Sequence, residues 1–154
     1  FDNLFSIDAS CWMNPFQPTL FSSDLEVPQA PAALISSLSI GQKGQASYVY
    51  VGSWDGNVRV WEFHQGGSIA PKGSIQHTAP SQIPLPVLAL HATADGCFSG
   101  CCDGTVKMWQ VASGLAPQLV GQHDQPVSAV RAIPALGGLV TASWDKTAKL
   151  WDIR

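Results

Sequence analysis

His123, Ser143 and Asp145 bring together the three side-chain types of a hydrolase triad. In such a site the histidine takes the serine proton, the acid orients the imidazole, and backbone amides hold the developing oxyanion. The sequence has no G-x-S-x-G elbow to expose the serine on a strained turn. The set is also repeated. Aspartates recur at Asp55, Asp103 and Asp145, 48 and 42 residues apart, and Trp61, Trp109 and Trp151 recur at the same intervals. Gln76-His77 precedes Asp103 much as Gln122-His123 precedes Asp145. A catalytic set copied along a chain, with no cleft for each copy, is poor chemistry. A structural network accounts for the same residues. An aspartate in a tight turn accepts from backbone N–H groups and from the imidazole. The histidine then bridges to the serine hydroxyl, which accepts the indole N–H. Each bond spares a buried polar group a cost of about 1–3 kcal/mol. On this reading the third set is complete, with His123, Ser143, Asp145 and Trp151. The second has His77, Asp103 and Trp109, with Cys101 in place of the serine. The first has Ser53, Asp55 and Trp61 and no histidine.

Other reactive side chains read more plainly. Cys11, Cys97, Cys101 and Cys102 form no C-x-x-C, and His91 is the only histidine near the clustered three. Zinc spacing is therefore missing, and the cysteines read as free, buried thiols of a reducing compartment. No cofactor or metal is implied. Arg59, Lys107 and Lys149 each stand two residues before a tryptophan, and they read as alkyl stems packed along a sheet with their charges in water. The chain carries 8 Lys plus Arg against 11 Asp plus Glu, a net charge of -3, and only 12% of its 154 residues are charged. That balance argues against a broad nucleic-acid-gripping surface and against intrinsic disorder. No 18-residue apolar run predicts a membrane-spanning helix. The chain begins on Phe1 and has no Lys or Arg before Lys43. It thus reads as a trimmed or processed piece without the basic start of a secretory signal.

The elements that must position these residues are hairpins. Residues 52–63 (GSWDGNVRVWEF), 100–111 (GCCDGTVKMWQV) and 142–153 (ASWDKTAKLWDI) align without gaps. In each, a β-branched or apolar strand runs into an Asp-Gly or Asp-Lys turn and a second strand leaves it. The expected pairs are 46–52 with 57–63, 96–101 with 105–111, and 138–143 with 147–153. A further apolar strand precedes each pair, at 33–39, 85–91 and 127–133. An outer strand follows the first two, near 72–76 and 117–121. Up to four antiparallel strands per 40 to 50 residues is the blade of a β-propeller. The predicted fold is therefore all-β: a partial propeller of about three four-stranded blades at 31–76, 77–121 and 122–154, behind an arm at 1–30. The arm holds Phe1, Phe5, Trp12, Phe16 and Phe21 among prolines. It reads either as a docking arm or as an extended segment crossing the propeller edge.

The closing dipeptide Trp151-Asp152, with weaker versions at Trp61-Glu62 and Trp109-Gln110, resembles the WD-repeat family over residues 30–154. Gln122-His123-Asp124-Gln125-Pro126-Val127 followed by Thr141-Ala142-Ser143-Trp144-Asp145-Lys146-Thr147 is similar to the messenger-RNA export factors of the Rae/Gle type. Gly52-Ser53-Trp54-Asp55, Asn14-Pro15 and Asp24-Leu25-Glu26-Val27 fit the same family, and the spindle-checkpoint WD-repeat propellers, its near relatives, are the main rival reading within the class. The resemblance implies three of seven blades. It also implies a non-enzymatic scaffold that binds a nucleoporin through a short linear motif, and a place at the nucleus and nuclear pore with cytoplasmic shuttling.

Binding by a propeller is expected at one end of its channel, where specificity resides in exposed side chains. The residues before the turn aspartates, Trp54, Cys102 and Trp144, point there, as do the starts of the inner strands at Leu34, Ser36, Pro86, Leu88, Pro126 and Ser128. Two tryptophans at equivalent places suit an interface. Three rival readings stand beside this one. Trp54 and Trp144 could pack between blades; a hydrolase could use His123 or His77; or single-stranded RNA could stack weakly on the tryptophans. Three blades also leave an unpaired strand edge and two open apolar faces, to be covered by further blades or by self-association.

Overall fold

The structure, a computed structural model, describes residues 27–64, 68–79, 81–110 and 116–154. The aromatic arm before residue 27, with Cys11, lies outside the described residues. Among them, strands form three antiparallel sheets. The first is β1 (Ile35–Lys43), β2 (Ala46–Ser53), β3 (Asn57–Phe63) and β4 (Ile69–Gln76), paired in that order. The second is β5 (Val87–Ala92), β6 (Cys97–Cys101), β7 (Thr105–Trp109) and β8 (Gln118–Gln122). The third has three strands, β9 (Val127–Ile133), β10 (Gly138–Ser143) and β11 (Ala148–Asp152), with β11 at the edge. A short 3-10 turn at Pro134–Leu136 links β9 to β10. The all-β partial propeller expected from the repeats is the observed architecture.

Register makes the three sheets superposable. Leu38 pairs Val51, which pairs Arg59. Leu90 pairs Ser99, which pairs Lys107. Val130 pairs Thr141, which pairs Lys149. The turns between second and third strands need a left-handed residue, supplied by Gly56 (φ 79°), Gly104 (φ 84°) and, in the third sheet, Lys146 (φ 69°).

The sheets stack face to face. Tyr50, Val58 and Val60 of the first pack on Val87, Leu90, Cys97, Cys101 and Trp109 of the second. Phe98 and Val106, from the second sheet's other face, pack on Val127, Val130 and Leu139, with Trp151 alongside. Close stacking depends on missing side chains. A Cβ on Gly52 would lie 2.8 Å from Val87 Cγ1, and one on Gly100 would lie 2.5 Å from Val127 Cγ1. The inner strands β1, β5 and β9 thereby become neighbours, and the loops that enter them gather at the same end as the Asp55, Asp103 and Asp145 turns. Among the described residues two faces carry exposed apolar side chains. Leu38 and Ile40 are exposed on the first sheet, and Leu150 is exposed on the third.

Candidate functional site

The three hairpins hold three different networks. In the third sheet Asp145 lies at the β10–β11 turn and its side chain is 7% exposed. Its Oδ1 accepts from the Thr147 backbone N–H at 2.9 Å and the Thr147 hydroxyl at 2.7 Å. Its Oδ2 accepts from His123 Nδ1 at 2.8 Å and from the Asp124 N–H at 3.2 Å. Burial pushes the carboxyl's pKa up, but these donors outweigh it and hold the group well below its ordinary value. On the far side of the imidazole, His123 Nε2 is 2.7 Å from the hydroxyl of Thr141, which accepts the Trp151 indole N–H at 2.8 Å. His123 and Thr141 are both buried.

The hydroxyl in this chain is Thr141, and the expectation for Ser143 is corrected. Ser143 instead donates to the Gln125 carbonyl at 2.9 Å and accepts the Asp145 N–H at 3.1 Å. The physical reason is burial. Thr141 is buried beside the buried imidazole and accepts the indole N–H there, whereas Ser143 is only half-buried and its hydroxyl is engaged by the Gln125 carbonyl. The same correction applies in the second sheet, where His77 Nε2 is 3.1 Å from Ser99 and not on Cys101. Here the network is broken at the other end. Among the described residues His77 Nδ1 is buried without a partner, and Asp103 bonds the N–H and hydroxyl of Thr105, at 3.0 and 2.7 Å. Burial, followed by the Lys107 charge, pushes His77 down to about 4 against the opposing pull of Asp103.

The first sheet replaces the histidine altogether. Val51 takes the place of Thr141, and Arg59 binds Asp55 Oδ2 at 2.8 Å and the Ser53 hydroxyl at 3.0 Å. Ser53 is tied to the Asp55 carboxylate, whereas Ser143 meets its aspartate only at the backbone N–H. Trp61 turns elsewhere and donates to the Pro28 carbonyl at 2.7 Å. Arg59 is therefore more than a solvated stem, and Lys149 also has partners, the Gln122 carbonyl at 2.9 Å and the Trp151 ring at 5.7 Å.

None of these networks presents a nucleophile. The hydroxyl on the histidine–aspartate pair is buried and already accepts an indole N–H. Burial pushes the Cys97 and Cys101 thiols up to about 12, far from the reactive thiolate. Among the described residues no group of His, Cys, Asp and Glu is arranged to hold a metal ion, and no helix is long and apolar enough to cross a membrane.

At the loop end the picture differs. Leu34, Trp54, Ile83 and Trp144 are 76, 54, 61 and 66% exposed. The backbone brings the residues together in like pairs: Trp54 N–H donates to the Leu34 carbonyl, Cys102 to Pro86 and Trp144 to Pro126, at 2.9, 3.0 and 3.0 Å. The tryptophans thus stand out in solvent and do not fill gaps between sheets. Cys102, Pro86 and Pro126 are half-buried. Ser36 is spent internally, donating to the Gly52 carbonyl at 3.0 Å and to the Val87 carbonyl. Leu88 and Ser128 line a groove of 390 Å³ along the inner strands, with the Ser128 hydroxyl on the Ala142 carbonyl. Ile83 was not foreseen. It sits on the loop between His77 and Val87, which is longer than the matching His123–Val127 loop. That inequality is visible in the sequence, and repeat insertions map to one face of a repeat protein.

Comparison with known proteins agrees with this geometry. The family described as WD domain, G-beta repeat matches residues 29–62, 75–110 and 117–152. Protein Rae1 of Drosophila melanogaster is 36% identical over 143 residues, covering 90% of this chain and 39% of that protein. The poly(A)+ RNA export protein of Schizosaccharomyces pombe is 37% identical over 136 residues, covering 85% and 36%. The mRNA export factor GLE2 of Chaetomium thermophilum is 35% identical over 138 residues, covering 86% and 37%. The chain spans less than two-fifths of the length of these relatives.

Proposed function

Because the chain belongs to the WD domain, G-beta repeat family, we propose that it is a non-enzymatic interaction scaffold of mRNA export that docks a nucleoporin through a short linear segment. The observation that carries this reading is the loop end, where two tryptophans at equivalent turns stand more than half exposed and Leu34 and Ile83 are exposed as well. Exposed tryptophans that keep their backbone bonds are rigid apolar anchors, the type of residue that dominates interface energetics. The relatives named for RNA export and mRNA export support the setting, and with it a place at the nuclear pore and shuttling to the cytoplasm. The polar networks below the loop end position it and carry out no reaction.

A pull-down on the immobilised linear motif of a nucleoporin tests the reading. The chain should be retained, and its Trp54→Ala/Trp144→Ala variant should wash through. Equal retention of both, or no retention of a correctly folded chain, overturns it.

A further inference from the structure

Building on this docking reading, we propose that the segment received at the loop end of the second and third sheets carries a lysine or arginine next to its apolar residues. The cation is taken by Asp103 and Asp124 beside Trp144. The three turn aspartates are equivalent in sequence and have different fates. Asp55 is neutralised by Arg59 at 2.8 Å. Asp145 is enclosed, with His123, Thr147 and the Asp124 N–H donating to it. Asp103 is exposed and, among the described residues, bonded within its own turn, while the buried His77 Nδ1 has no partner among them. The carboxylate that could satisfy that histidine faces outward instead.

Asp124 is also exposed, and among the described residues neither carboxylate forms an ion pair with a lysine or arginine, Lys146 included. The backbone joins them into one ridge. The Asp103 turn abuts the next loop, since a Cβ on Gly104 would lie 2.2 Å from the His123 carbonyl oxygen and 3.1 Å from that of Gln125. That loop carries Asp124 and ends at Pro126, whose carbonyl holds the Trp144 N–H. Two unneutralised carboxylates and an open indole face together suit a cation on an apolar stem. The same charge repels a phosphate backbone, which favours a basic peptide over RNA.

Selection of a random peptide library displayed on phage separates this proposal from the reading it rests on. Three baits are used: the unaltered chain, Trp144→Ala, and Asp103→Asn/Asp124→Asn, in which asparagine keeps the turn acceptor for Thr105. The unaltered chain should enrich sequences with Lys or Arg beside an aromatic or aliphatic residue. The double Asn bait should keep the apolar enrichment and lose the cation. A selected peptide should bind that variant about 2- to 20-fold more weakly, with unchanged thermal midpoints. Apolar enrichment without excess Lys or Arg, or cation enrichment that survives on the double Asn bait, overturns the charge proposal and leaves docking intact. No enrichment on any bait overturns the docking reading and the charge proposal with it. Tighter binding of a single-stranded oligonucleotide than of any selected peptide also overturns the proposal, in favour of RNA.

Discussion

At the scale of single residues the third sheet holds one continuous polar chain, indole to threonine to imidazole to carboxylate, and each member satisfies the next. Thr141→Val keeps the shape and removes the hydroxyl, which orphans the Trp151 N–H and His123 Nε2. The expected loss is about 1–3 kcal/mol, read as a lower urea midpoint. Asp145→Ala should lower that midpoint more than Asp103→Ala, because Asp145 accepts four bonds in an enclosed position and Asp103 accepts two in water. His77 adds a pH dependence. It is neutral and buried in the fold, so its folded value of about 4 lies below the ordinary 6.5. As pH falls through this window the unfolded chain gains the proton first. Stability therefore declines from about pH 6.5 to about pH 4, by up to about 3 kcal/mol. The lowered carboxylates lose their contribution only below their ordinary values near 4. Urea midpoints at the two ends of the window should differ more for the unaltered chain than for His77→Gln. Histidine, aspartate and tryptophan were legible as a repeated set. The hydroxyl partner was not, because Ser143 and Thr141 stand two residues apart on one strand and the sequence does not say which of them is buried against the imidazole. Nor did the repeat reveal that Arg59 would replace a histidine, since the cations at Lys107 and Lys149 do not.

At the scale of elements, strand order followed directly from the repeats, because alternating apolar residues ending in Asp-Gly leave a hairpin little choice. Boundaries shifted where local signals conflict with packing. The first inner strand runs to Lys43, through Gly41, whose missing side chain admits the Thr93 carbonyl; a Cβ there would sit 2.8 Å from that oxygen. The third turn is the exception to its repeat, with Lys146 left-handed where the other two turns have glycine. Lys146→Gly should raise stability by about 0.5–1 kcal/mol, the relieved strain exceeding the entropy glycine adds to the unfolded chain. Gly100→Ala should do the reverse. Its Cβ would press on Val127 in the core between the second and third sheets, at an expected cost of about 1–3 kcal/mol. Thermal melts of the two variants check both signs.

At the scale of the whole molecule, repeat stacking buries each sheet against its neighbour and, among the described residues, leaves apolar side chains exposed on the outer faces of the first and third sheets, with β11 at a sheet edge. Exposed Leu38, Ile40 and Leu150 on these faces favour association. Sedimentation of the 154-residue chain at tens of micromolar should show concentration-dependent self-association, whereas a monomer with a cooperative melt would contradict it. The location of the loop end was legible from the repeats, because residues before equivalent turns must share an end. The Ile83 loop was not, because a longer connection says where it emerges and not which side chain it exposes. On the proposed function it is this end, and not the opposite one, that docks a protein segment. Isothermal titration with a nucleoporin's linear motif tests it directly, comparing the unaltered chain, Trp54→Ala/Trp144→Ala and, at the opposite end, Leu136→Ala. The expected result is a loss of about 30-fold or more for the tryptophan variant, in line with hot-spot truncation, and no change for Leu136→Ala. Equal affinities for all three, or a loss confined to Leu136→Ala, would contradict it.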